Sequence, residues 1–327
     1  MTDFTVAIRT YNSEASLPRV LDKLKTQVRV EDIKLEIIIV DNNSSDRTCE
    51  IIQDYQDNWN LPYPLKYYCE PHQGAVFTRQ RAIKEAKGNF VGFLDDDNVP
   101  NDDWISQAYH FGQQHPVAGA YGGKISAQFE QEPPENFQEI AVYLAIIQRG
   151  NDPFCYNNRK GGVLPPGAGI VINKQAWLDT VPKQLFLLGP TPNRLSLKGE
   201  DMEFLAYIQN AGWEIWYNPE QKIDHVIPSW RLERDYLISL VRGIGLSRHH
   251  IRMIRLPWWQ RVFAPAAYFV NDLRKVIVFF AQNYGELKTD SVVACQMTLL
   301  ISILISPLFL TWVKLKNLRM NRNEIVG

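Results

Sequence analysis

Residues 89–98 read NFVGFLDDDN. The apolar run 89–94 is the length of a strand and ends abruptly in three carboxylates, Asp95, Asp96 and Asp97. Working outward, the same pattern recurs upstream. Residues 4–9 (FTVAIR) lead into Arg9-Thr10-Tyr11-Asn12, and residues 35–40 (LEIIIV) lead into Asp41-Asn42-Asn43-Ser44-Ser45-Asp46. The run 35–40 has no polar face after Glu36, as expected of a strand covered on both sides. Between these strands the spacing predicts helices over 13–24, with Leu17, Val20, Leu21 and Leu24 on one face, over 48–55 with Ser45 as cap, and over 75–86 closed by Gly88. A further short strand is expected over 65–69. Strands alternating with helices of this length predict βαβ units, and so an α/β fold with a mainly parallel, Rossmann-like sheet flanked by helices. In such a sheet, ligands bind beyond the carboxyl ends of the strands, where all three polar clusters fall.

Three adjacent aspartates repel one another unless neutralised. A solvated acidic turn is one reading of them. A hard divalent cation, Mg²⁺ or Mn²⁺, shared with a diphosphate is the other, and the placement of all three clusters at strand ends favours it. No glycine occurs in residues 9–14, so the G-x-G-x-x-G of a dinucleotide-dependent oxidoreductase is missing after the first strand.

The middle of the chain is less regular. A loop is expected over 130–136 and a polar, then Gly- and Pro-rich mobile segment over 155–166. A strand follows over 169–173, a helix from Lys174, a helix over 199–211 opened by Glu200 and Asp201, and a strand over 213–217 with Trp213 and Trp216 in the core. From Pro228 the character changes to long helices.

These residues carry a resemblance. VAIRTYNSEASLPRVLDKL (6–24), EIIIVDNNSSDRT (36–48), GAVFTRQRAIKEAKGNFVGFLDDDNVPNDDWI (74–105), GAGIVINKQAW (167–177) and KGEDMEFLAYIQNAGWEIWYNPEQKIDH (198–225) resemble family 2 glycosyltransferases of bacterial polysaccharide biosynthesis. The likeness extends roughly over residues 4–227. It implies a GT-A fold and inverting transfer of a sugar from a nucleotide diphosphate sugar, a UDP-sugar first among them, with Mg²⁺ or Mn²⁺. It implies that Thr10 and Tyr11 line the nucleotide pocket, that Asp41 binds the base and that Arg79 contacts the nucleotide, although Gln80 stands where the family usually has Asn. By the same resemblance Asp95 binds the ribose, Asp96 supports it, Asp97 holds the metal as in a D-x-D motif, and His225 completes the metal site.

Displacement at the anomeric carbon needs one carboxylate to take the acceptor hydroxyl's proton, on the side opposite the diphosphate. Glu200-Asp201 matches the family's acidic pair, so Asp201 is the expected base and Glu200 the residue that orients the acceptor. Helix capping is the competing reading of the same two residues. Gly167 and Gly169 are expected to allow close backbone approach beside the acceptor.

The chain has 327 residues, 45% of them hydrophobic and 22% charged, which excludes a disordered chain. Its net charge of −1 excludes a globally basic, nucleic-acid-binding protein. That sum conceals a split. Residues 228–327 hold 14 basic and 6 acidic residues, net +8, and the first 227 hold 21 and 30, net −9. The expected organisation is a catalytic domain over 1–227 and a helical, membrane-associating extension over 228–327. The extension has apolar segments at 262–281 and 291–313. The second is 23 residues without a charge, long enough to span a bilayer. Arg248, Arg252 and Arg255 share a helix face, and Trp258-Trp259 suits a membrane interface.

Nucleotide sugars are cytosolic, so the catalytic domain is expected at the cytoplasmic face of the inner membrane. A single span would then export a tail bearing the basic residues Lys314, Lys316, Arg319 and Arg322, against the positive-inside rule. A re-entrant or interfacial hairpin, or soluble helices packed on each other or in a homodimer, resolves that conflict. The acceptor is expected to be a glycan or a lipid-linked glycan. A catalytically silent nucleotide-sugar-binding subunit of a synthase is the alternative function. Cys49, Cys69, Cys155 and Cys295 form no C-x-x-C pair and are expected as free thiols in a reducing compartment, and residues 1–10 read as a strand rather than a secretory leader.

Overall fold

A computed structural model describes residues 2–158, 164–189 and 197–325. Part of the segment expected to be mobile, 159–163, lies outside the described residues, as do the side chains of Lys314, Lys316, Arg319 and Arg322. In chain order the strands are β1 (Phe4–Thr10), β2 (Leu35–Asp41), β3 (Leu65–Cys69), β4 (Phe90–Asp95), β5 (Asn98–Pro100), β6 (Ala118–Phe129), β7 (Phe154–Cys155), β8 (Val171–Asn173) and β9 (Glu214–Ile227). The helices are α1 (Leu17–Lys25), α2 (Thr48–Asp57), α3 (Ala75–Glu85), α4 (Trp104–Gln114), α5 (Lys174–Thr180), α6 (Glu200–Asn210), α7 (Arg234–Ile254), α8 (Ala264–Asn283) and α9 (Ser291–Ile325).

The strands form one sheet in the order β3-β2-β1-β4-β8-β6-β9-β5, with β7 on β9. From β3 to β4 it is parallel, β8 is antiparallel to both β4 and β6, and β6 with β9 is parallel again. Every residue of β2 is buried, as its unbroken apolar run requires. Leu17, Val20, Leu21 and Leu24 of α1 are fully buried. The register decides where the chemistry falls: Thr10 pairs with Asp41, and Arg9 with Asp95. The three polar clusters therefore emerge together at one end of the sheet.

Three local expectations are corrected. Asp46, not Ser45, caps α2, its Oδ1 accepting from the Thr48 N–H at 3.1 Å, while the Ser45 N–H goes to Asn12 Oδ1. Gly88 does not close α3 with a left-handed turn. A Cβ there would lie 2.6 Å from the Thr5 nitrogen, so it is glycine because backbone passes over β1. Asp224 and His225 lie inside β9, which runs unbroken past the expected end of its strand at Tyr217.

At Gly123, where the register of β6 and β9 shifts, a Cβ would come 1.6 Å from the Gln221 carbonyl oxygen. Gly123→Ala must push two central strands apart. It is expected to cost at least about 3 kcal/mol, the top of the usual range for overpacking, read as a lower urea midpoint.

The chain divides into two units. The first comprises Met1–Glu132, Leu144–Arg194 and Glu200–Pro228, and the second Pro133–Tyr143, Leu195–Gly199 and Ser229–Gly327. The first holds the sheet. The second is built on α7 and α9, which approach so closely that a Cβ at Gly245 would lie 2.5 Å from Ser302 Cβ.

Candidate active site

The site is built at the carboxyl ends of β1, β2 and β4, facing the start of α6, all within the first unit. Arg9 leaves the end of β1 and pairs with Asp95 at the end of β4. Its other terminal nitrogen lies 4.0 Å from Glu200 Oε1. Burial works against the Arg9 charge, but Asp95 and Glu200 overcome it and hold its pKa above the ordinary value. This arginine joins the strand-end aspartates to the acidic pair of α6. In the sequence it shows only as part of a polar cluster, because its partners lie 86 and 191 positions away.

Asp96 turns toward β1, accepting from the Ser13 hydroxyl and, at 3.3 Å, from the Tyr11 N–H. Burial and the adjacent Asp97 push its pKa up to about 7. Asp97 turns the other way. Its Oδ1 accepts from Asn98 Nδ2 at 2.8 Å, and its Oδ2 stands 3.4 Å from His225 Nε2. His225 is brought there by β5, which pairs antiparallel with β9 so that Asn98 faces His225. His225 Nδ1 is 2.9 Å from the Leu144 carbonyl, an acceptor only, so Nδ1 carries a proton and Nε2 is the ring nitrogen that would take a metal beside Asp97. That tautomer and a carboxylate oxygen are donors that fit a divalent cation. Among the described residues no group of three or more His, Cys, Asp or Glu side chains is gathered as a metal cage. A cation here would draw its remaining ligands from a diphosphate or water, as Mg²⁺ usually does.

Asp41 forms a separate subsite. Its carboxylate accepts from Ser44 N–H at 3.2 Å, from Tyr67 OH at 3.1 Å and from Cys49 Sγ at 3.4 Å. Asn42 fixes the neighbouring turn through the His72 carbonyl at 2.6 Å and the Gly74 N–H at 2.8 Å. Thr10 is buried and its hydroxyl has no hydrogen-bond partner among the described residues, while the Tyr11 side chain is exposed. Tyr67 and Cys49 contact Asp41 and Ser13 contacts Asp96, and no local spacing in the sequence marks these three residues.

Asp201 begins α6. Its Oδ2 accepts the Gly167 N–H at 2.8 Å and its Oδ1 the Met202 N–H at 2.8 Å. Burial, then the neighbouring Glu200, raise its pKa to about 6, with Arg79 and the two N–H donors pulling the other way. Glu203, one turn on, accepts from the Phe186 and Leu187 N–H groups at 2.9 and 2.7 Å and ties that segment to α6.

Arg79, expected to contact the nucleotide, is enclosed by two aromatic rings. It is 1% exposed, sandwiched 4.7 Å from the Phe93 ring and 4.9 Å from the Phe204 ring. Its three guanidinium nitrogens have no hydrogen-bond partner among the described residues. Burial and Arg9 lower its pKa to about 9, while Glu200, Asp95 and Asp201 support its charge. Gly167 is where it crowds the backbone: a Cβ there would meet Arg79 Nη2 at 2.6 Å. Gly169, at φ +64°, packs against Ile223 instead of beside Asp201. Trp216 is half-buried against His115, with ring centroids 4.5 Å apart, and Trp213 is also half-buried.

The family description Glycosyl transferase family 2 matches residues 5–179. The chain belongs to that family. Its family 2 sequence is 32% identical over 171 residues to the poly(ribitol-phosphate) beta-N-acetylglucosaminyltransferase TarS of Staphylococcus aureus, a match covering 46% of this chain and 29% of TarS. The chain thus spans less than a third of that relative's length. It is 23% identical over 312 residues to the glucosyl-dolichyl phosphate glucuronosyltransferase of Haloferax volcanii, covering 92% of this chain and 91% of that one. The crystal structure of S. aureus TarS 1-349 in complex with UDP-GlcNAc superposes with a TM-score of 0.51 at 19% identity, covering 80% of this chain and 73% of that one. The fold of this family 2 member is GT-A.

Proposed function

We propose that the protein transfers a sugar, with inversion, from a nucleotide diphosphate sugar to a hydroxyl of a glycan or lipid-linked acceptor at the cytoplasmic face of the membrane. The observation that carries this reading is Arg9, bridging Asp95 to Glu200. It ties the strand-end carboxylate set to the acidic pair that opens α6, where the half-buried Asp201 is a second, separate carboxylate. Transfer needs those two functions apart: one end holds a departing diphosphate and the other receives a proton.

Asp41 binds the base, with Thr10 and Tyr11 lining the pocket, and Asp95, supported by Asp96, holds the ribose. Asp97 and His225 would hold Mg²⁺ or Mn²⁺, which when bound neutralises charge on the leaving diphosphate. Glu200 orients the acceptor hydroxyl and Asp201 takes its proton. The acceptor oxygen forms its bond to the anomeric carbon as the carbon–oxygen bond to the diphosphate breaks. The gathered groups offset in advance the entropy cost of bringing donor and acceptor together. A UDP-sugar is the first donor to try, given the UDP-GlcNAc complex of TarS. A polyprenyl-phosphate-linked acceptor is supported by the name of the H. volcanii relative, which matches along nearly the whole chain.

The test is donor hydrolysis and transfer across UDP- and GDP-sugars with Mn²⁺ or Mg²⁺, comparing wild type with Asp201→Asn and Asp97→Ala. Full activity in both variants overturns these roles. Nucleotide binding without turnover on any acceptor favours the silent-subunit reading. Asp41→Ala should weaken UDP binding by roughly 10- to 100-fold, the worth of a hydrogen bond to a charged group, with little change in turnover at saturation. Calorimetry and saturating-donor rates separate the two effects.

A further inference from the structure

One helix of the second unit is inverted with respect to water. α8 runs for 20 residues, and Asp272 is the one buried residue in it. Asp272 is held by both terminal nitrogens of Arg252 from α7. The rest of the helix presents Phe269, Val270 and Ile277 to the outside, at 48%, 67% and 58% exposure. Trp258, Trp259 and Phe263 precede it, all well exposed. On α9 the exposed apolar residues are Ile301, Ile305, Leu308, Trp312 and Leu315. Their spacing of four, three, four and three traces a single helix face. The opposite face of α9, with Ser302 and Ser306, is buried. Monomeric soluble proteins rarely expose apolar surface on this scale.

A bilayer span by α9 conflicts with its packing. α9 passes the length of the bilayer core, 23 residues over Ser291–Val313 at mean hydropathy 2.2. Yet α7 lies beside it along that length. Arg234 of α7 reaches Ser291 Oγ at 3.5 Å and the Leu287 carbonyl at 2.8 Å, Gly245 meets Ser302, and the His249 N–H donates to Ser306 Oγ at 3.1 Å. α7 carries exposed Asp235 and Arg242, together with Arg248 and Arg252. A spanning α9 would draw those charges into hydrocarbon, where they are costly.

We propose that the second unit is a monotopic membrane anchor. α8, the Trp258-Trp259-Phe263 corner and the outer stripe of α9 lie in one leaflet of a bilayer bearing anionic phospholipids, and neither helix crosses it. Charge complementarity selects that occupant over a second copy of the chain. Arg255, Arg261, Arg274 and Lys275 are exposed around the apolar surface, and residues 228–327 carry +8, so two copies would repel where anionic headgroups attract. The proposal goes beyond the catalytic reading and uses none of its residues, so an inactive protein leaves it equally open to test.

The full chain is floated with vesicles of phosphatidylcholine alone and of phosphatidylcholine mixed with phosphatidylglycerol. Binding is expected to be stronger to the mixed vesicles. Arg274→Gln with Lys275→Gln should weaken it about 25-fold, about fivefold for each charge lost. Trp258→Ala with Trp259→Ala should weaken binding to both compositions. All four positions are exposed, and circular dichroism confirms that the variants fold. Alkaline carbonate should release the wild type from membranes. In bacterial spheroplasts, a cysteine at Glu286→Cys, between α8 and α9, and one appended after the last residue should react with an impermeant maleimide only after lysis. Labelling of either in intact spheroplasts, or resistance to carbonate, overturns the monotopic reading in favour of a span. Failure to float, with a concentration-dependent dimer that shields the tryptophans, overturns it in favour of a second copy.

Discussion

Asp201→Asn should lower turnover by roughly 10²- to 10⁴-fold, the usual worth of a positioned general base, while leaving nucleotide affinity nearly intact. Asparagine keeps the shape and can still accept the Gly167 or Met202 N–H through its oxygen, so α6 retains its start. What it cannot do is take a proton. The pH profile makes the same point in the wild type. The carboxyl, raised to about 6 by burial and by Glu200, works as a base only when ionised. The rate, kcat/KM, should therefore fall as pH drops through about 6, approaching tenfold per unit below it, and be level above.

The sign for stability is opposite, and it separates catalysis from capping. A carboxyl whose folded pKa lies above its unfolded value contributes stability that is complete below the unfolded pKa and lost as pH rises through the folded one. At pH 8 the wild type bears the cost of an ionised Asp201 that is half-shielded from water and beside Glu200, and the asparagine variant does not. Asp201→Asn should then unfold at a higher temperature than wild type at pH 8, an advantage that shrinks toward pH 4. A residue retained for capping alone would show the reverse, a loss of stability with normal turnover.

The strand ends can be read from sequence because each depends on a local run. The seven residues of β2 are buried because five of them are apolar, interrupted before its final aspartate by one early glutamate whose charge is met by Lys66 at 2.6 Å. β6 cannot be read that way. Ala118-Gly-Ala-Tyr-Gly-Gly has weak strand propensity, and the strand exists because β8 and β9 flank it. The same long-range pairing carries Asp224 and His225 on in β9, and only the register with β5 sets His225 opposite Asn98. The environment of Arg79 is equally hidden. A motif position names the residue, but the Phe93 and Phe204 rings that enclose it come from β4 and α6, elements far apart in the chain. The Glu200-Asp201 pair is legible as a motif, but the Gly167 N–H that Asp201 accepts comes from a segment 34 positions earlier and no local pattern shows it.

Asp97→Ala should abolish the response to Mn²⁺. In the wild type, Mn²⁺ together with UDP is expected to raise the melting temperature, because a ligand that binds only the folded state stabilises it by about 2.7 kcal/mol at a hundredfold excess over its Kd. With Asp97 gone, His225 Nε2 is left without the one carboxylate oxygen placed 3.4 Å from it, and two strongly directional donors become one. The metal-dependent rise in melting temperature should vanish, and donor turnover should fall at least about 100-fold, in line with losing metal affinity and the charge it supplies. Without metal the expectation reverses. Asp97 adds to the repulsion among three consecutive carboxylates, and its removal relieves Asp96, so the metal-free variant should be at least as stable as the metal-free wild type. An acidic triplet serving only as a solvated turn would give neither the Mn²⁺ response in the wild type nor its loss in the variant. The two melting curves, with and without Mn²⁺, therefore distinguish a cation site from a turn before any sugar donor has been identified.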